Sequence, residues 1–403
     1  MSWEIDKLGN YSKVISGYAF KSDSFRTDNG IPIIKIKNIQ REYVEIDGEY
    51  FVDTSYLSLD PKFHCIKDDI LISLTGSHIT LPNSVVGRVA KYHYDFTSLL
   101  NQRGGKIVVT NPDKLENNYL YYYLCQNEIR IKLAQFGRGG ANQCNISPSN
   151  VESIPIILPP LETQKRIASI LSAYDDLIEN NLKRIKLLEE TAQNIYKEWF
   201  VNFRFPNYEH TAFDAESDLP VGWEMKKVED CIKVMKGKKP KKEYSTIGEN
   251  RILYLLVDVL ERRELRFTEN ESVQLTSEGE TLMLMDGSRS GLVFKSLEGA
   301  IGSTLAVFRI KDAVFGINYC FNFFKYREVE IISKNTGSAI PHANKSYIYG
   351  MEMPIPTDKI SSEFETITSK IYNQIEILSS QNQKLKEARD ILLPRLMNRT
   401  IEV

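Results

Sequence analysis

Cysteine and histidine are scarce in this chain, and neither is clustered. The five cysteines (Cys65, Cys125, Cys144, Cys231, Cys320) are scattered, odd in number and form no CxxC pair. That favours a reducing compartment over a disulfide scaffold. The five histidines supply no HxxxH or HxxxE cluster, so no metal site is expected. No apolar run approaches the length that crosses a bilayer, and the start, MSWEIDKLGN, lacks the apolar core of a signal peptide. A cytoplasmic protein with no membrane partner is the expectation. Phosphate loops of the GxxxxGK[ST] and GxGxxG kinds are absent, and Gly137-Arg138-Gly139-Gly140 lacks the flanking strand and helix that such loops join. There is no NPP[YF] tetrapeptide of the amino-methyltransferase kind. Pro112-Asp113 and Glu162-Thr163-Gln164-Lys165 have the wrong spacing for a metal nuclease, and no Ser-His-Asp or Cys-His arrangement can be assembled. Such a chain is expected to bind rather than to catalyse.

Glycine and proline are missing from Leu161 to Phe203, LETQKRIASILSAYDDLIENNLKRIKLLEETAQNIYKEWFVNF, between Pro159-Pro160 and Pro206. Within it Ile167, Leu171, Tyr174, Ile178, Asn181, Ile185, Leu188, Ala192, Ile195 and Trp199 recur at alternating spacings of four and three. This is a heptad seam with one polar member, and it predicts one helix of roughly 60 Å packed along a partner. After Pro354 and Pro356, a second set alternates in the same way: Phe364, Ile367, Ile371, Gln374, Leu378, Gln381, Leu385, Ala388 and Leu392. It predicts the partner helix. Polar seam members such as Asn181, Gln374 and Gln381 lower stability while fixing register.

Residues 1–158 are rich in β-branched and aromatic residues broken by turn signals. IPIIKIKNI (31–39), EYVEIDGEYFV (42–52), DILISLTG (69–76), SVVGRVAKY (84–92) and GKIVVTNP (105–112) read as strands. NNYLYYYLCQNEIRIKLAQF (117–136) reads as one helix packed on them. Residues 221–356 repeat the plan. Trp3-Glu4 is answered by Trp223-Glu224, Gly17 by Gly237, and IPIIKIKNI by RILYLLVDVL (251–260). DILISLTGS is answered by ETLMLMDGS (280–288), Asn118-Tyr119 by Asn318-Tyr319, and IPIILP (154–159) by MPIP (353–356). Gly140-Ala141 followed by Asn145 is answered by Ser338-Ala339 followed by Asn344. The expected organisation is a module over 1–158, a helical region over 159–203, a linker over 204–220, a second module over 221–356 and a second helical region over 357–403.

Net charge is −2, which argues neither for nor against nucleic acid. Between Lys226 and Lys242, however, eight lysines face two acids, ending in KGKKPKK. A solvated loop and a phosphate-facing loop both fit that run. Glycine-bearing loops let the backbone approach phosphates while side chains reach base edges. The candidate DNA contacts in the first module are Lys21, Arg26, Ser77, Arg88, Asn101, Gln102, Arg103, Arg138, Asn142 and Gln143. In the second they are Lys236, Lys238, Lys239, Ser288, Arg289, His342, Asn344 and Lys345. Arginine suits guanine, and asparagine or glutamine suits adenine, through paired hydrogen bonds. Singly, each also fits a plain surface residue; their grouping on matching loops of both modules is what points to DNA.

This plan of module, helix, module and helix resembles the specificity subunit of type I restriction–modification systems. LPPLETQKRIASILSAYDDLIENNLKRIKLLEETAQNIYKEWFVNF is similar to that family's central conserved region, and LKEARDILLPRLMNRTIEV to its distal one. The W-E-x-x-x-[LV] openings and the D-I-L-[IV]-x-x-x-G strand also fit. The resemblance covers essentially the whole chain, with the helical regions as its specific part. MPIPTDKI departs from it, lacking the L-E-x-Q-x-x-I start of the first helix. The resemblance implies a non-catalytic subunit whose modules are target recognition domains, each reading one half of an asymmetric two-part double-stranded DNA sequence. It also implies that the helix pair holds the modules at a fixed separation and docks two methyltransferase subunits, which use S-adenosylmethionine to methylate adenine. Motor-endonuclease subunits join for restriction, and no cofactor is bound by this chain itself. The architecture implied is α+β: two similar mixed α/β modules separated by two long antiparallel coiled-coil helices, an internal repeat about a pseudo-two-fold axis that matches duplex DNA. A free-standing two-module DNA-binding regulator is one alternative, predicting full sequence-specific affinity without partners. A coiled-coil adaptor binding protein or carbohydrate is another, predicting no salt-sensitive DNA binding.

Overall fold

The computed structural model describes residues 3–46, 48, 50–78, 81, 84–137, 143–262, 264–311, 315–337 and 340–403. The stretch without glycine or proline is one helix, Leu161–Tyr196, continued by a π-helical turn over Lys197–Val201. A second helix runs over Asp358–Met397 and absorbs Pro394 in its last turn. The chain folds as two compact units, Met1–Asn180 with Asn382–Val403, and Asn181–Gln381. Each unit thus contains one module together with a length of both long helices.

In the first unit the main sheet has the strand order Ser12–Ser16, Gly104–Val109, Ile70–Ser73, Val89–Lys91, Glu42–Tyr43. A smaller sheet runs Phe51–Val52, Ile31–Ile34, Ser98–Leu100, His64–Cys65, with a parallel pair at its centre. Glu4–Lys7 pairs with Pro155–Leu158, tying the start of the module to its exit into the helix. The second unit repeats this plan, without a counterpart of Glu42–Tyr43 at the edge of its main sheet among the described residues. Its main sheet is Ile232–Lys236, Leu305–Ile310, Thr281–Leu284, Val293–Lys295, and its smaller one Phe267–Glu269, Arg251–Leu255, Gly299–Ile301, Leu275–Thr276. Glu224–Lys227 pairs with Glu352–Ile355, so that Glu224 faces Ile355 as Glu4 faces Leu158.

Several expected elements are shorter or broken, each for a local reason. The helix expected over 117–136 is two, Asn117–Cys125 and Asn127–Gln135. Gln126 between them is extended (φ −62, ψ 134), and its side chain donates to the Tyr123 carbonyl, closing the first helix. In KIKN the strand stops at Ile34, because Asn38 folds back to accept from the Lys35 amide at 2.9 Å. The segment 84–92 is strand only at Val89–Lys91, after Gly87 at φ +69. RILYLLVDVL is a strand over Arg251–Leu255 followed by a helical turn over Val257–Leu260.

The long helices pack on their modules and on each other. In the first unit Ile167, Ala168 and Leu171 share one buried cluster with Leu393, Leu396 and Met397 and with Tyr119, Leu120 and Tyr123. Asp175 meets Arg389 while Ile178 meets Asn382, so numbers rise on one helix as they fall on the other. The helices are therefore antiparallel there. In the second unit the π turn brings Trp199 and Phe200 inward together. Phe200 lies 4.7 Å from Tyr319, 4.9 Å from Phe364 and 5.7 Å from Trp223, in an aromatic core.

The seam of the first helix lies on its inner side: Ile167, Leu171, Ile178, Asn181, Ala192 and Trp199 are buried, and Tyr174, Ile185, Leu188 and Ile195 half-buried. On the second helix three of the nine expected seam positions are displaced by one residue. Phe364 and Leu378 are buried and Ile371, Leu385 and Leu392 half-buried, but Ile367 and Gln381 are exposed. Thr368, Asn382 and Arg389 are buried instead. The spacing remains alternately four and three, so the period alone admits both choices. The polar residues win because each finds a partner inside. The Thr368 hydroxyl donates to the Phe364 carbonyl at 2.8 Å, and Asn382 donates to Ile178 at 3.4 Å. Arg389 donates to Asp175 and Glu42, both at 2.5 Å.

Candidate nucleic-acid interface

In both modules the strand ends and turns at one end of the main sheet are laced into a continuous rim by backbone hydrogen bonds. In the first module the strand Ser12–Ser16 runs through Gly17, whose amide donates to Gly104 at 3.0 Å, into Tyr18, which donates to Leu100 at 2.8 Å. Gln102 donates back to Tyr18 at 2.9 Å, and Leu74 donates to Arg103 at 3.0 Å. Thr75–Gly76 then pairs with Cys144–Asn145. The second module builds the same rim: Gly237 to Leu305 at 2.9 Å, Lys238 to Ile301 at 3.2 Å, Met285 to Thr304 at 2.7 Å, and a bridge between Asp286 and His342. A Cβ on Gly17 would stand 2.3 Å from the Asn101 carbonyl oxygen, and one on Gly237 2.1 Å from that of Gly302. Only glycine permits this approach, which explains why the pair recurs.

With the rims matched through these bonds, their side chains differ. Asn101-Gln102-Arg103 in the first module occupies the place of Gly302-Ser303-Thr304 in the second. Lys238 and Lys239 occupy the places of Tyr18 and Ala19. Positive charge thus sits on one turn in the first rim and on a different strand end in the second. The expected match of Asn145 to Asn344 is off by two residues. Ile146 donates to Leu74 as Ala343 donates to Met285, so Asn145 corresponds to His342 and Ser147 to Asn344. Ser147 and Asn344 are both helix caps, accepting from Asn150 at 3.2 Å and Tyr347 at 3.1 Å. Asn344 is committed to capping Lys345–Gly350, and Lys345 opens that helix.

The remaining candidates fall into three sets. Lys21, Gln102, Arg103, Gln143, Lys238, Lys239, Ser288 and Lys345 are exposed, while Ser77 and Asn101 are half-buried at the rim. Others are held by carboxylates of their own module. Arg289 makes a forked pair with Glu261 at 2.7 and 3.2 Å, and Arg26 pairs with Asp53 at 3.0 Å. Lys236 and His342 share Asp286, at 2.7 and 2.8 Å. Burial alone would raise the Asp286 carboxyl, but Lys236 and His342 outweigh it and hold it below the ordinary carboxylate range. Arg88 is half-buried and donates to Gln40 at 3.2 Å. Arg138 and Asn142 lie outside the described residues.

Three contributors were not singled out in the sequence. Lys35 places its ammonium 3.1 Å from the Tyr50 ring centroid and 4.1 Å from that of Phe25, and with Phe20, Ser22 and Asn101–Arg103 it lines a hollow beside the rim. Asn145 and Arg130 were hidden by their settings, in a short strand and in what reads as an ordinary helix face. No group of three or more metal-ligating side chains occurs among the described residues, and no described helix is long and apolar enough to cross a membrane.

The sequence pattern of the family described as type I restriction modification DNA specificity domain matches residues 1–190 and 220–387. The MjaIX type I restriction enzyme specificity subunit of Methanocaldococcus jannaschii is 27% identical over 306 residues, 71% of this chain and 69% of that protein. A putative type I restriction enzyme MjaX specificity subunit of the same organism is 23% identical over 423 aligned positions, spanning 100% of this chain and 94% of that one. The crystal structure of a type I restriction–modification system S subunit from M. genitalium has a TM-score of 0.53 at 14% identity, covering 98% of this chain and 96% of its own. At that identity the likeness speaks for the fold.

Proposed function

We propose a division of labour for this chain, which belongs to the type I restriction modification DNA specificity domain family and recognises DNA as a specificity subunit of such a system. Each module reads one half of a two-part duplex target through its rim. The observation that carries this is a duplicated rim with matching backbone bonds and different side chains, Asn101-Gln102-Arg103 against Gly302-Ser303-Thr304 and Tyr18-Ala19 against Lys238-Lys239. A fixed frame with exchanged edge residues suits two readers of different sequences. The long helices set the interval between the half-sites, and two methyltransferase subunits dock on them, where Leu177, Leu182, Leu187, Ile377 and Ile391 are exposed. Those subunits carry S-adenosylmethionine and methylate adenine, motor-endonuclease subunits join for cleavage, and this chain contributes no catalysis.

Mapping methylated adenines in DNA exposed to the chain with its methyltransferase partner tests the proposal. The expected motif has two read halves around a gap of unread bases. The chain alone with S-adenosylmethionine should transfer no methyl group, and transfer by it would sink the assignment. Inserting seven residues in both helices keeps the heptads in phase and should widen the gap by about three base pairs with both halves unchanged. An unchanged gap at full activity would mean that the helices do not set the interval.

A further inference from the structure

We infer that Arg88 and Arg130, with Arg41 beside them, form a binding site for a backbone phosphate of duplex DNA that belongs to the first module alone and adds affinity without reading sequence. The site rests on the DNA-recognition reading above and extends it to a place outside the rim. Arg88 and Arg130 are half-buried, and every hydrogen-bond acceptor they have among the described residues is neutral. Arg88 donates to the Gln40 side chain at 3.2 Å, and Arg130 to the Ser84 and Val86 carbonyls at 2.8 and 3.4 Å. Burial lowers the affinity of both guanidiniums for their protons; at Arg88 Tyr43 partly opposes this and Arg41 adds to it, while at Arg130 both Arg88 and Arg41 add to it. Among the described residues Arg41 pairs with Glu42 at 3.7 Å, and Glu42 is already engaged by Arg389 at 2.5 Å. Only Arg41 of the three thus lies against a carboxylate among the described residues, and that carboxylate is held by another arginine. Like charges withdrawn from water without a counterion are unfavourable, and an anion relieves that cost.

The second module serves as an internal control. Gly87 donates to Ser73 and Ser73 to Arg88, just as Gly291 donates to Leu284 and Leu284 to Leu292. Leu292 thus stands in the place of Arg88. Ile332 packs over Gly291 where Arg130 packs over Gly87. The same backbone forms with apolar residues at both places, so the fold does not require the arginines. Their position suits DNA. Ser73 leads directly into Thr75–Gly76 of the rim, and the Ser84 hydroxyl donates to the Ser77 carbonyl at 2.6 Å. A guanidinium fork matches two phosphate oxygens, and a phosphate carries no base identity.

The test uses the chain assembled with its methyltransferase subunits, titrated at several salt concentrations against a duplex carrying its methylation motif and against an unrelated duplex. Arg88→Leu copies the second module and should fold normally by thermal unfolding; Arg41→Gln alters an exposed side chain and gives a second, independent arm. Each substitution should weaken binding to both duplexes by the same factor. Each should also make the slope of log K against log salt shallower by about one, with the methylated motif unchanged. A changed base preference in one half-site would overturn the proposal in favour of base reading. Weaker assembly with the methyltransferase at an unchanged slope would overturn it in favour of an acidic protein surface. Unaltered affinity and slope in both variants would mean that there is no site. If the unsubstituted complex showed no salt-dependent duplex binding, the DNA reading itself would fail, and this site with it.

Discussion

The two units seat their helices on the modules through the same positions but with different polar chemistry. In the first, the Tyr122 hydroxyl donates to Asp175 at 2.6 Å, and Arg389 bridges Asp175 and Glu42 with a side chain only 7% exposed. Glu42 itself sits at φ +80, its carbonyl held by the Tyr121 hydroxyl at 2.9 Å. In the second unit Asn322 and Tyr372 take the places of Tyr122 and Asp175. Tyr372 and Gln193 both donate to the Asn322 side-chain oxygen, at 2.9 and 2.6 Å. One junction is ionic and the other neutral, yet both join a module to the helix that follows it and to the other long helix. The fold asks only that the buried groups be satisfied. What differs is the cost of breaking the junction, because a stranded charge is worse than a stranded amide.

The sharpest break of that symmetry is Arg389→Met. It leaves Glu42 and Asp175 part-buried with only Arg41 at 3.7 Å from Glu42 and the Tyr122 hydroxyl on Asp175, and should destabilise the first unit by about 3 kcal/mol in chemical denaturation. Adding Glu42→Gln and Asp175→Asn should recover much of the loss; no recovery would show that packing of the arginine stem, not its charge, matters. In the second unit Gln193→Leu should cost only about 1 kcal/mol, since Tyr372 still satisfies Asn322. Equal losses from Arg389→Met and Gln193→Leu would erase the distinction between the junctions.

A smaller, pH-dependent difference concerns Lys295, which donates to Asn318 and lies 3.4 Å from the Tyr372 ring centroid. Burial pushes its ammonium down from 10.5 to about 7, with Glu365 and Glu278 only partly opposing. Below about pH 7 the group is charged in both folded and unfolded chains, and the cost of burying that charge applies in full. Between there and 10.5 the unfolded chain binds the proton that the folded one does not, so stability rises with pH. The second unit should gain stability from pH 7 to 9 by thermal unfolding, and Lys295→Met should flatten the rise. A slope unchanged in the variant would assign the effect to other groups. The smallest effect expected is from Ile367→Gln. Because Ile367 is 39% exposed and Thr368 is buried in its stead, the loss should stay within about 0.5 kcal/mol. A loss of several kcal/mol would restore the displaced register of the second seam.

The rims were legible in outline. Gly17 and Gly237 stand out by recurrence, and the structure supplies the reason in carbonyl oxygens that leave no room for a Cβ. Lys238 and Lys239 stand out by charge density and are exposed on the rim. Arg289 looks equally good as a sequence, but Glu261 takes its fork, and nothing near residue 289 in the chain announces that partner. Asn344 looks like a base reader by composition and is a helix cap by position. Its true counterpart, Ser147, could be recognised only through the backbone bonds of Ile146 and Ala343.

By itself the sequence determined the existence and length of both long helices, the duplication of the modules and the turn glycines. These depend on periodicity, on proline and glycine, and on residue types that act within a few positions of themselves. Tertiary structure alone decided the rest. Thr368, Asn382 and Arg389 turn inward in preference to Ile367, Gln381 and Ala388: Thr368 is satisfied by a carbonyl of its own helix, and Asn382 and Arg389 by a carbonyl and carboxylates far away in the chain. Of two adjacent faces with the same period, hydrophobicity favours one. Burial falls to the other where its polar atoms are paired, since a satisfied polar group costs little to bury and an unsatisfied one costs a great deal.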